Sequence, residues 1–322
     1  MDIMRKPLVT HIYTADPSAR VFENRLYIYT SHDLDHDNPI DDTGSQYDMV
    51  DFHVFSMPDM QSLPVDHGSI LHLDDVPWAA KQMWAPDAAF KNGTYYFYFP
   101  AKDHEEHFRI GVATGPTPTG PFVAQPSFIP GSFSIDPCAF IDEDGQAYLY
   151  FGGLWGGQLQ HWQTGAFDPT VAPEPEGDVP ALGPRVAKLS ADMLNFDGPV
   201  GEVSIVDESG SPLRAWDHDR RYFEGIWVHK YNGTYYLSYS TGDTHFIVYA
   251  TGDSPTGPFV YRGRILDPVI GWTTQHSIVE FQGRWYLFYH DASLSGGIDN
   301  KRCIKVVEFT YNADGSIPLI NP

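Results

Sequence analysis

Short runs of alternating apolar and polar residues fill the chain, and they come in pairs joined by tight turns. The stretch Phe223 to Tyr231, then Asn232-Gly233, then Thr234 to Tyr239 is the clearest case: strand, two-residue turn, strand. Asn92-Gly93-Thr94-Tyr95-Tyr96 repeats it almost letter for letter, and the stretches around Tyr27, Tyr148 and Tyr286 are looser copies. Helical periodicity is nearly absent. Each copy also opens on an ionisable residue. Tyr27 follows Asp16 by 11 positions, Tyr96 follows Asp87 by 9, and Tyr148 follows Asp136 by 12. Tyr236 follows Glu224 by 12 and Tyr286 follows His276 by 10.

Two of these units match over a longer stretch. Asn92 and Asn232 are offset by 140, and Thr119 and Thr256, in two Pro-Thr-Gly-Pro-Phe turns, by 137. An ordered series of matching elements marks an internal repeat. Five such units predict an all-β chain, a five-bladed β-propeller over residues 1–322 as one domain. A pair of β-sandwiches is the alternative, and it leaves the common polar opening unexplained. Two insertions interrupt the pattern, at Ser31–Asp48 and at Gln158–Asp217. Val186–Ser190 reads as an outer strand. Ile304–Phe309 reads as one more strand, available to complete a sheet begun elsewhere.

Composition narrows the partners. The 20 Lys and Arg face 42 Asp and Glu, a formal net charge of −22 that repels nucleic acid and anionic membranes. No apolar run approaches the ~18 residues of a membrane span. Met1–His11 lacks the apolar core of a secretory signal, so a cytoplasmic location is expected. The eight Trp and nineteen Tyr suit a core of packed sheets, and also a neutral ligand such as a sugar stacked on rings. Cys138 and Cys303 form no CxxC and are too few for a disulfide framework. The His and Asp residues between Ser31 and Asp48 follow no zinc spacing. His32, just past a strand end, is either a solvated loop residue or a ligand contact.

In a propeller the first strand of each blade lines the axis. Asp16, Asp87, Asp136, Glu224 and His276 are therefore expected to converge on one central cavity. Several carboxylates held together perturb one another, and a protonated and an ionised carboxyl are the equipment for glycosidic bond cleavage. Phe223, Ile226 and Trp227 surround Glu224 with apolar groups that raise its pKa.

Thr14-Ala15-Asp16-Pro17-Ser18, Trp84-Ala85-Pro86-Asp87, Ser134-Ile135-Asp136-Pro137, Glu224-Gly225 and Gln275-His276-Ser277 resemble, in order, the blade motifs of glycoside hydrolase family 43. The resemblance spans nearly the whole chain. It implies a five-bladed propeller and inverting cleavage of xylosides or arabinofuranosides. It implies Asp16 as general base, Glu224 as general acid and Asp136 as the group that raises and orients that acid. It implies an axial His276 beside at most one hydrated Ca²⁺, with no organic cofactor, and an Arg302 that contacts the sugar. Trp84, Trp155 and Trp272 are candidate sugar-lining or packing residues, and Asp87 has a structural or substrate-contact role. The expected activity is exo-acting release of β-D-xylose or α-L-arabinofuranose from xylo- or arabino-oligosaccharides, the two insertions walling the cavity into a pocket. An endo-arabinanase and a non-catalytic carbohydrate-binding propeller are the alternatives. A fructan-acting relative would carry Asn where Ala15 stands.

Overall fold

The computed structural model describes residues 3–272 and 275–322. Among the described residues twenty-one strands form five sheets. The first contains β1 (Tyr13–Phe22), β2 (Arg25–Asp33), β3 (Asp51–Met57) and β4 (Val65–His72) in sequence order. The second contains β5 (Ala79–Lys81), β6 (Asp87–Lys91), β7 (Thr94–Asp103), β8 (Phe108–Gly115) and β9 (Val123–Ala124), with β5 and β6 both on β7. The third contains β10 (Cys138–Ile141), β11 (Ala147–Phe151), β12 (Arg185–Lys188) and β13 (Gly201–Glu202). In the fourth, β14 (Ile205–Val206) edges a sheet of β15 (Glu224–Tyr231), β16 (Thr234–Ser240), β17 (Ile247–Gly252) and β18 (Phe259–Leu266). The fifth contains β19 (His276–Phe281), β20 (Arg284–Asp291) and β21 (Cys303–Phe309).

The pairing inside each sheet follows from turn chemistry. Asn92-Gly93 and Asn232-Gly233 both hold positive φ at both positions, 52° and 82° in one and 49° and 79° in the other. That is the turn whose twist matches antiparallel strands, and Asn and Gly tolerate it best. The first strands then contact one another around a ring: β1 with β6, β6 with β10, β10 with β15, β15 with β19, and β19 with β1. The chain is a five-bladed β-propeller.

Closure uses the two chain ends. β21 pairs with β20, its neighbour in sequence, so the tail strand completes its own blade and not a distant one. The segment before β1 lies against it, where the amides of Arg5 and Leu8 donate to Val306 and Ile304 carbonyls at 2.9 Å each. Of the expected outer strand Val186–Ser190, Val186–Lys188 fall in β12, which is third in its sheet with β13 outside it.

The hub is bolted by Arg20. Its guanidinium donates to Asp87 on β6 and to the Ala139 carbonyl on β10 at 2.9 Å, and lies 4.0 Å over the Trp227 ring on β15. Trp227 Nε1 donates in turn to the Ile278 carbonyl on β19 at 2.9 Å. One cation and one indole thus touch all five first strands. Buried apolar side chains between the sheets form the rest of the core.

Candidate active site

Two β-bulges aim the key carboxylates. In β1 the pairing with β2 jumps from Ala15–Ser31 to Ser18–Tyr29, leaving Asp16 and Pro17 outside the ladder. Pro17 has no amide to lose there. In β15 the register jumps between Glu224 and Trp227, with Gly225 at φ 70°. Bulges redirect side chains where a sheet must serve a site. Asp16 and Asp136, each before a proline, have φ of 56° and 59°, a left-handed conformation that non-glycine residues hold only at a cost in strain. The result is one cavity of about 240 Å³ whose walls include Asp16, Asp136, Glu224 and Arg302.

Asp16 is the most tightly held of the three. Arg302 Nη1 lies 3.2 Å from its Oδ1, and Ser31 Oγ donates to its Oδ2. Its amide donates to His290 Nδ1 at 3.0 Å, and His290 Nε2 faces the Trp272 carbonyl at 3.2 Å. Burial and the Arg302 charge hold His290 neutral, down to about 3. Arg302 is in turn clamped by Asp33, which accepts from its Nε at 2.9 Å, its Nη2 at 2.7 Å and its backbone amide at 2.9 Å. The fork geometry of guanidinium on carboxylate fixes the arginine plane. Tyr47 packs beneath it at 4.8 Å.

Asp136 bears on the ionisation of Glu224. Burial first, and then the charges of Asp136 and Asp16, hold Glu224 well above the usual carboxylate range, with Arg302 opposing. Burial also raises Asp136. Two such carboxyls cannot both ionise cheaply. Asp136 Oδ2 accepts the Gly225 amide at 2.8 Å, so of the two it is the better place for the negative charge, which leaves the proton on Glu224.

The aromatic walls are as expected in part. Trp84, Trp155 and Trp272 all line the cavity, with Trp155 edge-on to Trp272 at 6.1 Å. Trp84 is also a packing residue, 9% exposed, its Nε1 donating to the Tyr47 carbonyl at 2.8 Å. The Ser31–Asp48 insertion supplies Ile40, Asp41, Gly44 and Tyr47 to the rim. Gly44 is required there: a Cβ would meet the Trp84 ring at 2.4 Å, and its φ is 75°. The Gln158–Asp217 insertion, expected to form a second wall, contributes no described residue to the lining. It carries β12, β13 and β14 instead.

Three predicted site residues lie elsewhere. Asp87 is 1% exposed and spent on Arg20, Ser18 and the amides of Ala88 and Ala139; it does not reach the cavity, so the substrate-contact alternative loses its geometric basis. His32 points away from it and pairs with Asp51 at 2.8 Å, because alternate residues of a strand face opposite sides and its neighbours Ser31 and Asp33 face Asp16 and Arg302. His276 is fully buried in the hub with Nε2 2.6 Å from Ser238 Oγ, while Nδ1 has no partner among the described residues. Burial keeps it neutral, at about 3. A lone neutral nitrogen fits water or a hydrated cation, but it is no oxygen cage for a bare Ca²⁺. The supporting shell of Ser31, Asp33 and His290 was not singled out from sequence.

The sequence matches the Glycosyl hydrolases family 43 profile over residues 4–317. It is 59% identical to xylosidase/arabinosidase 43A of Humicola insolens, over 98% of this chain and 99% of the relative. In three dimensions it resembles a family 43 β-xylosidase/α-arabinofuranosidase from a compost microbial metagenome, solved with xylotriose in a calcium-free form. The TM-score is 0.98 at 60% identity, covering 99% of this chain and 98% of that one. A family 43 enzyme from Xanthomonas citri, solved with xylose, superposes with a TM-score of 0.94 at 57% identity, covering 99% and 94%.

Proposed function

The chain belongs to glycosyl hydrolase family 43, and on that premise we propose that it is an inverting, exo-acting glycoside hydrolase that releases single pentoses, β-D-xylose and α-L-arabinofuranose, from hemicellulose-derived oligosaccharides. The whole propeller serves as one catalytic domain. The observation that carries the mechanism is the convergence of Asp16, Asp136 and Glu224 in one pocket with unlike surroundings. Asp16, facing the fixed Arg302 cation, takes the proton of a water. The freed hydroxide attacks the anomeric carbon from the face opposite the leaving group. Glu224 gives its proton to the departing oxygen, and Asp136 keeps that proton on Glu224 until then. Each turnover leaves a proton on Asp16 and a charge on Glu224, and exchange with solvent restores both. In such enzymes the two carboxyls stand roughly 6.5–9.5 Å apart to admit the water.

Relatives bound to xylotriose and xylose support xylo-oligosaccharides as the ligand class. The rim from the Ser31–Asp48 loop favours a pocket that takes chain ends, against the endo-arabinanase reading. All three carboxylates are present and converge, against a binding-only propeller. A hydrated Ca²⁺ beside His276 would supply positive charge at the hub, held through water oxygens. If exhaustive chelation leaves Tm and activity unchanged, that ion has no role. The main test is product formation over time from xylotetraose and linear arabinan, with the first anomer read by proton NMR. Stepwise release of xylose with inversion is expected. Retention, or mid-length arabino-oligosaccharides without monosaccharide, overturns the proposal.

A further inference from the structure

Blade one carries a second group of ligating side chains, on the face turned away from the catalytic carboxylates. His53 of β3 pairs with Thr30 of β2, and a step of two residues along each strand brings His32 and Asp51 to the same face. The ligand atoms of His32, Asp51 and His53 lie within 4.8 Å of one another. His32 Nδ1 is 2.8 Å from Asp51 Oδ1, and His53 Nε2 is 3.4 Å from Asp51 Oδ2. The three side chains are 20%, 10% and 13% exposed, sheltered yet open on one side.

From this geometry we infer a binding site for a divalent transition-metal ion of the zinc class, held by His32 Nδ1, Asp51 and His53 Nε2. Two donors about 2.0–2.1 Å from a tetrahedral ion stand about 3.4 Å apart. The His53–Asp51 separation, 3.4 Å, already has that value. The His32–Asp51 pair opens slightly as the ion replaces the shared proton. Two imidazoles and one carboxylate suit zinc, nickel or copper, whereas Ca²⁺ wants about six to eight oxygens. An outer carboxylate completes the arrangement. Asp66 Oδ1 faces His53 Nδ1 at 3.4 Å, so it fixes the ring with Nε2 toward the ion, and Asp66 Oδ2 is tied to His11 at 2.7 Å.

The ion would staple β2 to β3 at the point where β2 carries Ser31, the donor to Asp16, and Asp33, the clamp on Arg302. The other comparable group, Asp103, Glu105 and His107, lacks this poise: Asp103 is occupied by Arg109 at 3.0 Å, and Glu105 is 78% exposed.

The test uses the full chain freed of metal, Zn²⁺ in calorimetric titration, and Co²⁺ as a visible-absorption probe. Wild type should bind one equivalent of Zn²⁺, develop a cobalt ligand-field band that Zn²⁺ abolishes, and gain Tm with Zn²⁺. His32→Gln and His53→Gln should each lose the cobalt band and the Tm gain. Asp66→Asn should weaken Zn²⁺ binding about 10–100-fold with the ligands intact, as outer-shell partners do. Glu105→Gln should match wild type. Zn²⁺ binding that survives both histidine substitutions, or an unaltered Zn²⁺ affinity in Asp66→Asn, overturns the proposal. The Asp66 variant keeps all three ligands, so the test does not depend on the histidine variants folding.

Discussion

Replacing Asp87 with alanine separates a structural from a substrate-contact role for that residue. Asp87 is 1% exposed and accepts from Arg20 Nε at 2.9 Å, Arg20 Nη2 at 2.5 Å, the Ala88 and Ala139 amides at 2.7 Å each, and Ser18. Without it Arg20 keeps, among the described residues, the Ala139 carbonyl, the thiol of Cys138 and the Trp227 face, none of them a counter-charge. Breaking a buried ion pair from one side costs about 3–5 kcal/mol. An unfolding entropy of about 2.1 cal/mol/K per residue gives about 0.7 kcal/mol/K for this chain of 322 residues. The cost therefore appears as a Tm lowered by about 4–7 °C. Arg20 is 19% exposed, so water at its edge puts the lower end of that range first. Scanning calorimetry at one fixed heating rate, with wild type alongside, reads the shift. At 25 °C the variant should keep kcat/KM within about threefold, since Asp87 does not reach the cavity. A Tm within 1 °C of wild type together with a tenfold rise in KM would refute the argument, because it would put Asp87 on the substrate.

Glu224→Gln should cost about 10²–10⁴-fold in kcat on xylobiose, and clearly less on a nitrophenyl xyloside, whose leaving oxygen needs little protonation; equal losses on both would remove Glu224 as the acid. Asp136→Asn removes a negative charge that helps hold Glu224 high, so the alkaline limb of kcat/KM should move to lower pH, as a pH–rate profile will read directly. Glu224→Gln should also be the more heat-stable protein at neutral pH. A carboxyl raised on folding favours its neutral form, so its penalty is absent at acid pH and grows as pH climbs from the ordinary carboxylate range toward the raised value. The Tm gap between variant and wild type should therefore widen with pH and close near pH 4; a gap independent of pH contradicts the cause given for the shift.

Local chemistry made much of this protein legible before any coordinates. The two Asn-Gly turns marked the clearest hairpins, since few other residues hold two positive φ angles in a row, and the recurrence of the whole strand–turn–strand unit, with its polar opening, set the blade count. Asp16, Asp136 and Glu224 stood out as polar residues opening apolar strands. What separated them from Asp87 and His276 was decided by tertiary register. Asp16 and Glu224 sit at bulges, and Asp136 holds a left-handed backbone just before its strand. Asp87 and His276 occupy regular ladder positions opposite Tyr98 and Tyr289, so their side chains go into the hub. A bulge is a two-against-one count between strands, and one strand's sequence does not contain its partner's count. The same holds at the end of β2. Ser31 and Asp33 face the site and His32 faces away, because a one-residue change of register exchanges the two faces of a strand. Arg302, next to Lys301, stood out only through the family resemblance; Asp33, 269 residues away in sequence, becomes its clamp only when the last blade closes against the first.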